Sequence, residues 1–293
     1  MSAAPLVSIG LPVYNGERFL VQALDSLLGQ TLGDLELVVS DNASTDRTAE
    51  ICLAYAARDA RVRYVRQASN IGATRNWNFV ALQVRGQYFK WASANDYCNP
   101  RLLEKCIAVM RKDPGVVLCH GRTCLVDEDT GEGKLYPGDV SATDPRPSER
   151  FQAVARTLVL NNEVSGVMRL DALRRTALMR PYEAGDLVLT VELSLYGRIV
   201  LLPEVLYYRR VGAGTCSMHL KPAELQVFLH AGTGARPGLE RWRRRIDLAR
   251  AVLHAPIGRS EKLRTLLLSA HHVGKNLLLG WLPAAARELK GSE

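Results

Sequence analysis

The first 125 residues predict an α/β protein with a mostly parallel sheet and flanking helices. Three observations carry this. Short apolar runs recur at 6–13, 35–40, 62–65, 88–92 and 116–119, the length and spacing of strands. Four of them are followed by turn or cap residues and then by apolar residues at three- and four-residue intervals. The runs are apolar along their length rather than alternating, the pattern of strands covered by helices on both faces.

Each element follows from local chemistry. Phe19, Leu20, Ala23, Leu24, Leu27 and Leu28 share one helix face. Ala49, Ile51, Cys52, Ala54 and Tyr55 make a weaker version, with Asp46 placed to cap the helix start. The stretch 126–150 is rich in Asp, Glu, Gly and Pro and reads as a surface loop. Helical patterns follow at 151–160, 170–178 and 187–196, then an extended run at 199–208. From Gly238 the pattern is helical and basic, with Arg241, Arg243, Arg244 and Arg245 beside Leu239, Trp242, Ile246 and Leu248. This divides the chain into a domain over 1–235 and a basic helical C-terminal extension over 236–293.

Composition narrows the class. The chain has 293 residues, 47% hydrophobic and 23% charged, which excludes disordered and fibrous proteins. The net charge of +8 is uneven: residues 1–235 hold 26 Lys and Arg against 25 Asp and Glu, and residues 236–293 hold 12 against 5. Cys52, Cys98, Cys106, Cys119, Cys124 and Cys216 show no CxxC spacing and are expected as buried free thiols of a cytoplasmic protein. The opening MSAAPLVSIG lacks the basic segment of a signal peptide. The apolar stretch 265–285 is interrupted by His271, His272 and Lys275 and makes a poor membrane span.

Ligands of open α/β sheets sit beyond the carboxyl ends of the strands, so the polar residues closing each strand are the candidates. The first strand exit carries Pro12, Tyr14 and Asn15, an aromatic ring and an amide suited to a base, or an ordinary turn. The second carries Asp41 and Asn42, where a carboxylate accepts hydrogen bonds from a base or ribose, or caps a loop. NIGATRN follows the third, with Arg75 in the first turn of the next helix, within reach of a phosphate or left in solvent. The fourth closes with Ser93, Asn95 and Asp96, where Asp96 is the one carboxylate for a hard cation. No GxGxxG follows the first strand and no GxxxxGK[ST] occurs, which removes the dinucleotide and P-loop readings.

Taken together, VSIGLPVYNGE, ELVVSDNASTDRT, NIGATRNWN, the SANDY strand exit and AGDLVLTVELSLYGRIVLLPEVLYYRR resemble, in order and separation, a family 2 glycosyltransferase of the inverting, GT-A kind. The resemblance runs from Val7 to about Arg210. It implies a GT-A Rossmann-like sheet and a nucleotide-sugar donor cradled by Pro12, Tyr14, Asn15, Asp41 and Asn42 with Arg75 alongside. It puts Ser93-Ala94-Asn95 at the family's DXD position and Asp186 at its general base. A base at a helix N-terminus is held in the ionised form that accepts a proton. Glu192, on another face, is expected to be structural.

Two departures bear on metal. The DXD triplet has lost its carboxylates, leaving Asp96 as the metal ligand, and Val211-Gly212-Ala213-Gly214 follows the closing YRR where relatives often place a His. Dependence on Mg²⁺ or Mn²⁺ is therefore expected to be weakened or dispensable, with Arg209 or Arg210 neutralising the leaving diphosphate. The expected acceptor is a hydroxyl on a bacterial glycan, glycolipid or secondary metabolite, as in polysaccharide biosynthesis. The rival is a non-catalytic nucleotide-sugar-binding or assembly protein with a degraded DXD site. A nucleotidyltransferase would need a Gly-rich, Lys-containing first loop, which the sequence lacks. The basic tail, with Trp242, Leu248 and Trp281 opposite Arg, suits peripheral attachment to the inner membrane face or a homodimer element. Nucleic acid is not expected, because no basic-aromatic or zinc pattern accompanies the charge.

Overall fold

A computed structural model describes residues 4–212, 222–230 and 240–272. Strands β1 (Val7–Val13), β2 (Leu35–Asp41), β3 (Val62–Arg66) and β4 (Tyr88–Trp91) pair in parallel, in the order β3-β2-β1-β4. Helices α1 (Leu20–Leu28), α2 (Thr48–Arg58) and α3 (Ala73–Leu82) supply the crossovers. This half matches the expected parallel sheet.

Beyond β4 the sheet becomes mixed. β5 (Tyr97–Cys98) and helix α4 (Leu102–Lys112) lead to β6 (Val116–Asp127), which pairs antiparallel with β7 (Gly133–Leu135) and β8 (Val167–Arg169) and parallel with β9 (Arg198–Val211). β8 also joins β4, and β5 joins β9, both antiparallel. The order closes as β4-β8-β6-β9-β5. The expected surface loop at 126–150 therefore contains the end of β6, all of β7 and the start of α5 (Pro147–Thr157). The helix expected over 170–178 is the short α6 (Leu170–Leu173), followed by turns.

Side chains alternate into two apolar layers, as strand geometry requires. Ile9, Leu11, Leu37, Val39 and Tyr88 face the layer of α1, α2 and α4. Val38, Phe89, Trp91 and Leu118 face the layer of α3, α5 and α7 (Gly185–Tyr196). Gly10 lets α3 lie directly on β1, since a Cβ there would come within 2.7 Å of Val80 Cγ2. That close approach holds the helix that carries Arg75 against the sheet.

The described part of the extension shares this core. Leu248, Ala251 and Val252 of α9 (Glu240–His254), with Ala255, are buried among residues of α5 and α7. Helix α10 (Arg259–His272) lies on α5, where Glu261 accepts from Ser148 N–H at 3.1 Å and Arg264 pairs with Glu149. Helix α8 (Pro222–His230) packs near α3. Cys52, Cys98, Cys106 and Cys119 are buried free thiols and Cys124 is a free, half-buried one, while Cys216, Ala213, Gly214 and Trp281 lie outside the described residues. Glu192 is buried in α7 with its Oε2 unbonded, and burial pushes its carboxyl up, consistent with a structural place. Among the described residues no helix is long and apolar enough to cross a membrane.

Candidate active site

The exits of β1 and β2 are laced together. Val13 stands opposite Asp41 in the register, and Asn42 N–H donates to Val13 O at 2.8 Å. Asn15 takes a left-handed conformation, φ 51°, which its short amide side chain tolerates. Its N–H donates to Ser44 Oγ at 2.9 Å and its Oδ1 accepts from Thr45 N–H at 2.9 Å. Pro12 is buried within β1, and Tyr14, 47% exposed, stands free at the sheet edge. Asp46 acts near its expected cap position: Oδ1 accepts from Thr48 N–H and Oδ2 from Glu17 N–H, both at 3.0 Å.

Asp41 is fully buried, with three protein donors. Its Oδ1 accepts from Ser44 N–H, and its Oδ2 accepts from Tyr64 Oη–H and Arg66 Nη1, each at 2.8 Å. Burial and then the Asp41 carboxylate push the Tyr64 hydroxyl up to about 12, so it stays a donor. Asn42 organises the loop ahead of α3. Its Oδ1 accepts from Ile71 N–H and its Nδ2 donates to Asn70 Oδ1, both at 2.8 Å, while Gly72 turns at φ 84°. Arg75 follows in the first turn of α3, exposed and without a hydrogen-bond or ion-pair partner among the described residues.

At the β4 exit, Ser93 Oγ accepts from Asn95 N–H at 3.1 Å. Asp96 is buried and bonded at both oxygens: Oδ1 accepts from Arg210 N–H at 2.9 Å and Oδ2 accepts from the Tyr207 hydroxyl. The Arg210 guanidinium donates to Asn95 O and Gln22 Oε1 and sits over the Phe19 ring, 4.2 Å from its centroid. Burial draws Arg210 below its ordinary range and pushes Tyr207 well above its own. Arg209 donates to Leu160 O at 2.6 Å and to Asn162 Oδ1 at 2.8 Å. A hydroxyl, an amide and a carboxylate already holding two hydrogen bonds are a poor ligand set for a hard divalent cation. The DXD position therefore does not fit a family-type metal.

A second cluster has metal-ligand residue types. Ligand atoms of His120, Asp139 and Glu163 lie within 4.8 Å of one another. Each is hydrogen-bonded within the protein. Glu163 Oε1 accepts from Val140 N–H at 2.6 Å, and the His120 ring nitrogens lie 2.9 Å from Val140 O and 3.2 Å from Gly121 O. Asp139 accepts from Thr123 N–H and Oγ1, both at 2.7 Å. The carboxylate oxygens keep lone pairs beside these bonds, whereas both His120 ring nitrogens face carbonyl oxygens. Burial pushes the Glu163 carboxyl up.

Asp186 lies in the first turn of α7, after Ala184 at φ 61°. Gly185 is required there, because a Cβ would come 2.1 Å from Arg180 O. Asp186 is half-buried, and its Oδ2 accepts from Asn161 Nδ2 at 3.0 Å. Thr190 Oγ1 in turn donates to Asn161 Oδ1 at 2.8 Å, which fixes the amide so that its NH₂ faces the carboxylate. Asp186 Oδ1 has no protein hydrogen bond among the described residues. A carboxylate oriented through one oxygen and open at the other can accept a proton from a hydroxyl. The family resemblance puts the segment 161–178 near the acceptor cleft without singling out Asn161, Asn162 or Glu163. The only signal was the paired Asn, since Asn161 adopts φ 49°.

An α/β sheet with its polar side chains gathered at the carboxyl ends of its strands is the usual setting of a ligand site. The glycosyl transferase family 2 model matches residues 8–175, more than half of the chain, and the chain belongs to that family. Its fold is that of the GT-A glycosyltransferases. A chondroitin synthase of Escherichia coli is 35% identical over 129 residues, covering 44% of this chain and 19% of that protein. The glycosyltransferase GlyG of Streptococcus pneumoniae is 31% identical over 132 residues, covering 45% and 43%. The chain thus spans less than half the length of these curated relatives. Staphylococcus aureus TarS, solved in a 1–349 form with UDP-GlcNAc, superposes with a TM-score of 0.62 at 18% identity, covering 94% of this chain and 74% of that one. The mannosyltransferase PcManGT of Pyrobaculum calidifontis, with GDP-Man and Mn²⁺, gives 0.54 at 17% identity, covering 100% and 89%.

The Asn161 contact is testable without any ligand. Asn161→Ala removes a hydrogen bond to a charged group and leaves the buried Thr190 Oγ1 with only its long 3.5 Å contact to Asp186 O, a loss of about 1–3 kcal/mol. Urea unfolding should show that loss. A change below about 0.5 kcal/mol, the usual range for surface substitutions, would mean that the amide does not hold Asp186.

Proposed function

We propose that the protein is an inverting glycosyltransferase that moves one sugar from a nucleoside-diphosphate sugar to a hydroxyl acceptor, with weakened or dispensable need for a divalent cation. The observation that carries this reading is Asp186, oriented by Asn161, open at Oδ1 and seated at the start of α7. In a single displacement the acceptor oxygen bonds to the anomeric carbon as the carbon–oxygen bond to the diphosphate breaks on the opposite side. Asp186 takes the acceptor proton, and the departing diphosphate carries the electron pair. Tyr14 stacks on the base, with Pro12, Asn15 and Asn42 shaping its seat. Asp41 holds Ser44, Tyr64 and Arg66 in place around it.

Charge neutralisation falls to Arg75. It is the cation at this sheet edge with no protein partner among the described residues, whereas Arg209 and Arg210 are held by carbonyl and amide oxygens. Asp96 then serves to lock Tyr207 and the Arg210 backbone beside Ser93 and Asn95. TarS with UDP-GlcNAc and PcManGT with GDP-Man support a nucleotide-sugar donor. The chondroitin synthase supports a bacterial glycan as acceptor. The degraded DXD position favours the second reading, a nucleotide-sugar-binding protein without turnover, and the oriented base favours catalysis.

Two measurements separate these readings. Asp186→Asn should lower sugar transfer and slow donor hydrolysis about 10²–10⁴-fold, the range for loss of a general base, while nucleotide-induced thermal stabilisation persists. Equal rates in the variant and the parent would remove Asp186 from the chemistry, and nucleotide binding without turnover in the parent would establish the second reading. Separately, activity should survive excess EDTA. Complete loss restored only by Mg²⁺ or Mn²⁺ would reject metal-dispensable transfer.

A further inference from the structure

Helix α9 is apolar on two opposite sides. At about 100° per residue, Leu248, Ala251 and Val252 point one way, into the core. Trp242, Ile246 and Leu253 fall together on the other side, and Trp242 is 61% exposed. Leu263 and Leu267, one turn apart on the neighbouring α10, are also exposed. A scattered surface Leu needs no explanation, but each of these two neighbouring helices carries exposed apolar residues on the side opposite its buried ones.

The charges beside the stripe are of one sign. Arg243 and Arg250 flank it on one edge of α9, and Arg245 on the other, its guanidinium 5.1 Å from the Trp242 ring centroid. Asp247 is turned inward, where Tyr182 Oη–H donates to it at 2.9 Å, and its other oxygen stands 3.8 Å from the Arg250 guanidinium, which is itself largely exposed. On α10, Arg259 and Lys262 add positive charge at the surface, while Glu261 is spent on Ser148 N–H. The outer face thus pairs an apolar centre with a cationic rim.

We infer that this face of α9 and α10 seats the protein on an anionic lipid surface, with Trp242, Ile246, Leu253, Leu263 and Leu267 entering the headgroup–acyl boundary. Arg243, Arg245, Arg250, Arg259 and Lys262 lie at the lipid phosphates. Amphipathic helices with a Trp/Leu face and Arg or Lys rims bind membranes in this way, and each basic side chain near an anionic leaflet adds to the attraction. Long Arg and Lys stems let the charge stay in water while the helix settles. A nucleic acid would meet the same charge but gain nothing from burying Ile246, Leu253, Leu263 and Leu267 against phosphates.

Flotation of the full chain with lipid vesicles tests this. The protein should float with phosphatidylcholine vesicles containing phosphatidylglycerol, not with phosphatidylcholine alone, and salt should weaken the binding. The triple variant Trp242→Ser/Ile246→Ser/Leu253→Ser changes exposed side chains only, so it should keep its melting transition. Its vesicle partition should fall about tenfold or more. Arg243→Glu/Arg245→Glu should lose the preference for anionic lipid. Failure of the parent to float, or full retention by a folded triple variant, overturns the assignment. So does a concentration-dependent dimer that the triple variant abolishes without any vesicle binding by the parent, which would make a second copy the occupant.

Discussion

The turn at Asn161–Glu163 is the constraint on which the placement of Asp186 depends. Three consecutive side chains tie three separate pieces of chain. Asn161 holds Asp186 of α7, Asn162 takes a bond from Arg209 of β9, and Glu163 accepts from Val140 N–H. None of these partners is near the turn in sequence, so the turn acts as the joint between the loop that carries Val140, β9 and α7. Its first residue sits in the left-handed region, where a short amide side chain is among the few that bear it cheaply. The same amide therefore solves a backbone problem and orients a carboxylate.

The β4 exit is held by a second set of contacts. Asp96 is inside, its charge answered by Tyr207 and the Arg210 amide, and the Arg210 guanidinium caps Asn95 O and lies on Phe19. A buried carboxylate left unpaired would be costly, and these donors offset that cost. The outcome is a stiff edge built from hydrogen bonds and cation–π contact. Each Asp96 oxygen already accepts a hydrogen bond from the protein. Arg75, by contrast, is exposed, with no protein partner among the described residues.

Much of this was legible in the sequence. The parallel strands β1 to β4 were readable because covered strands are apolar throughout, and the start of α7 because Gly185 precedes a long apolar run. Strands β5, β7 and β8, of two or three residues, were not, since so few positions carry no period. β6 runs on to Asp127 beyond its apolar start because His120 and Thr123 are buried with hydrogen-bond partners, and a polar residue satisfied inside looks like a strand end on paper. Asp186, Arg75 and the strand exits were named from the sequence. Asn161 was passed over because its role comes from a contact 25 residues away. The engagement of Asp41 and Asp96 with protein donors was equally invisible, since composition does not reveal which oxygens are free.

The central claim is that an activated sugar lies between Arg75 and Asp186. A crystal structure of the protein with a non-hydrolysable nucleoside-diphosphate sugar tests it most directly. The account predicts the base on Tyr14, the diphosphate against the Arg75 guanidinium, and the anomeric carbon facing Asp186 Oδ1 with room for one hydroxyl oxygen between them. A diphosphate bound away from Arg75, or an anomeric carbon turned from Asp186 beyond the reach of any such hydroxyl, would contradict it.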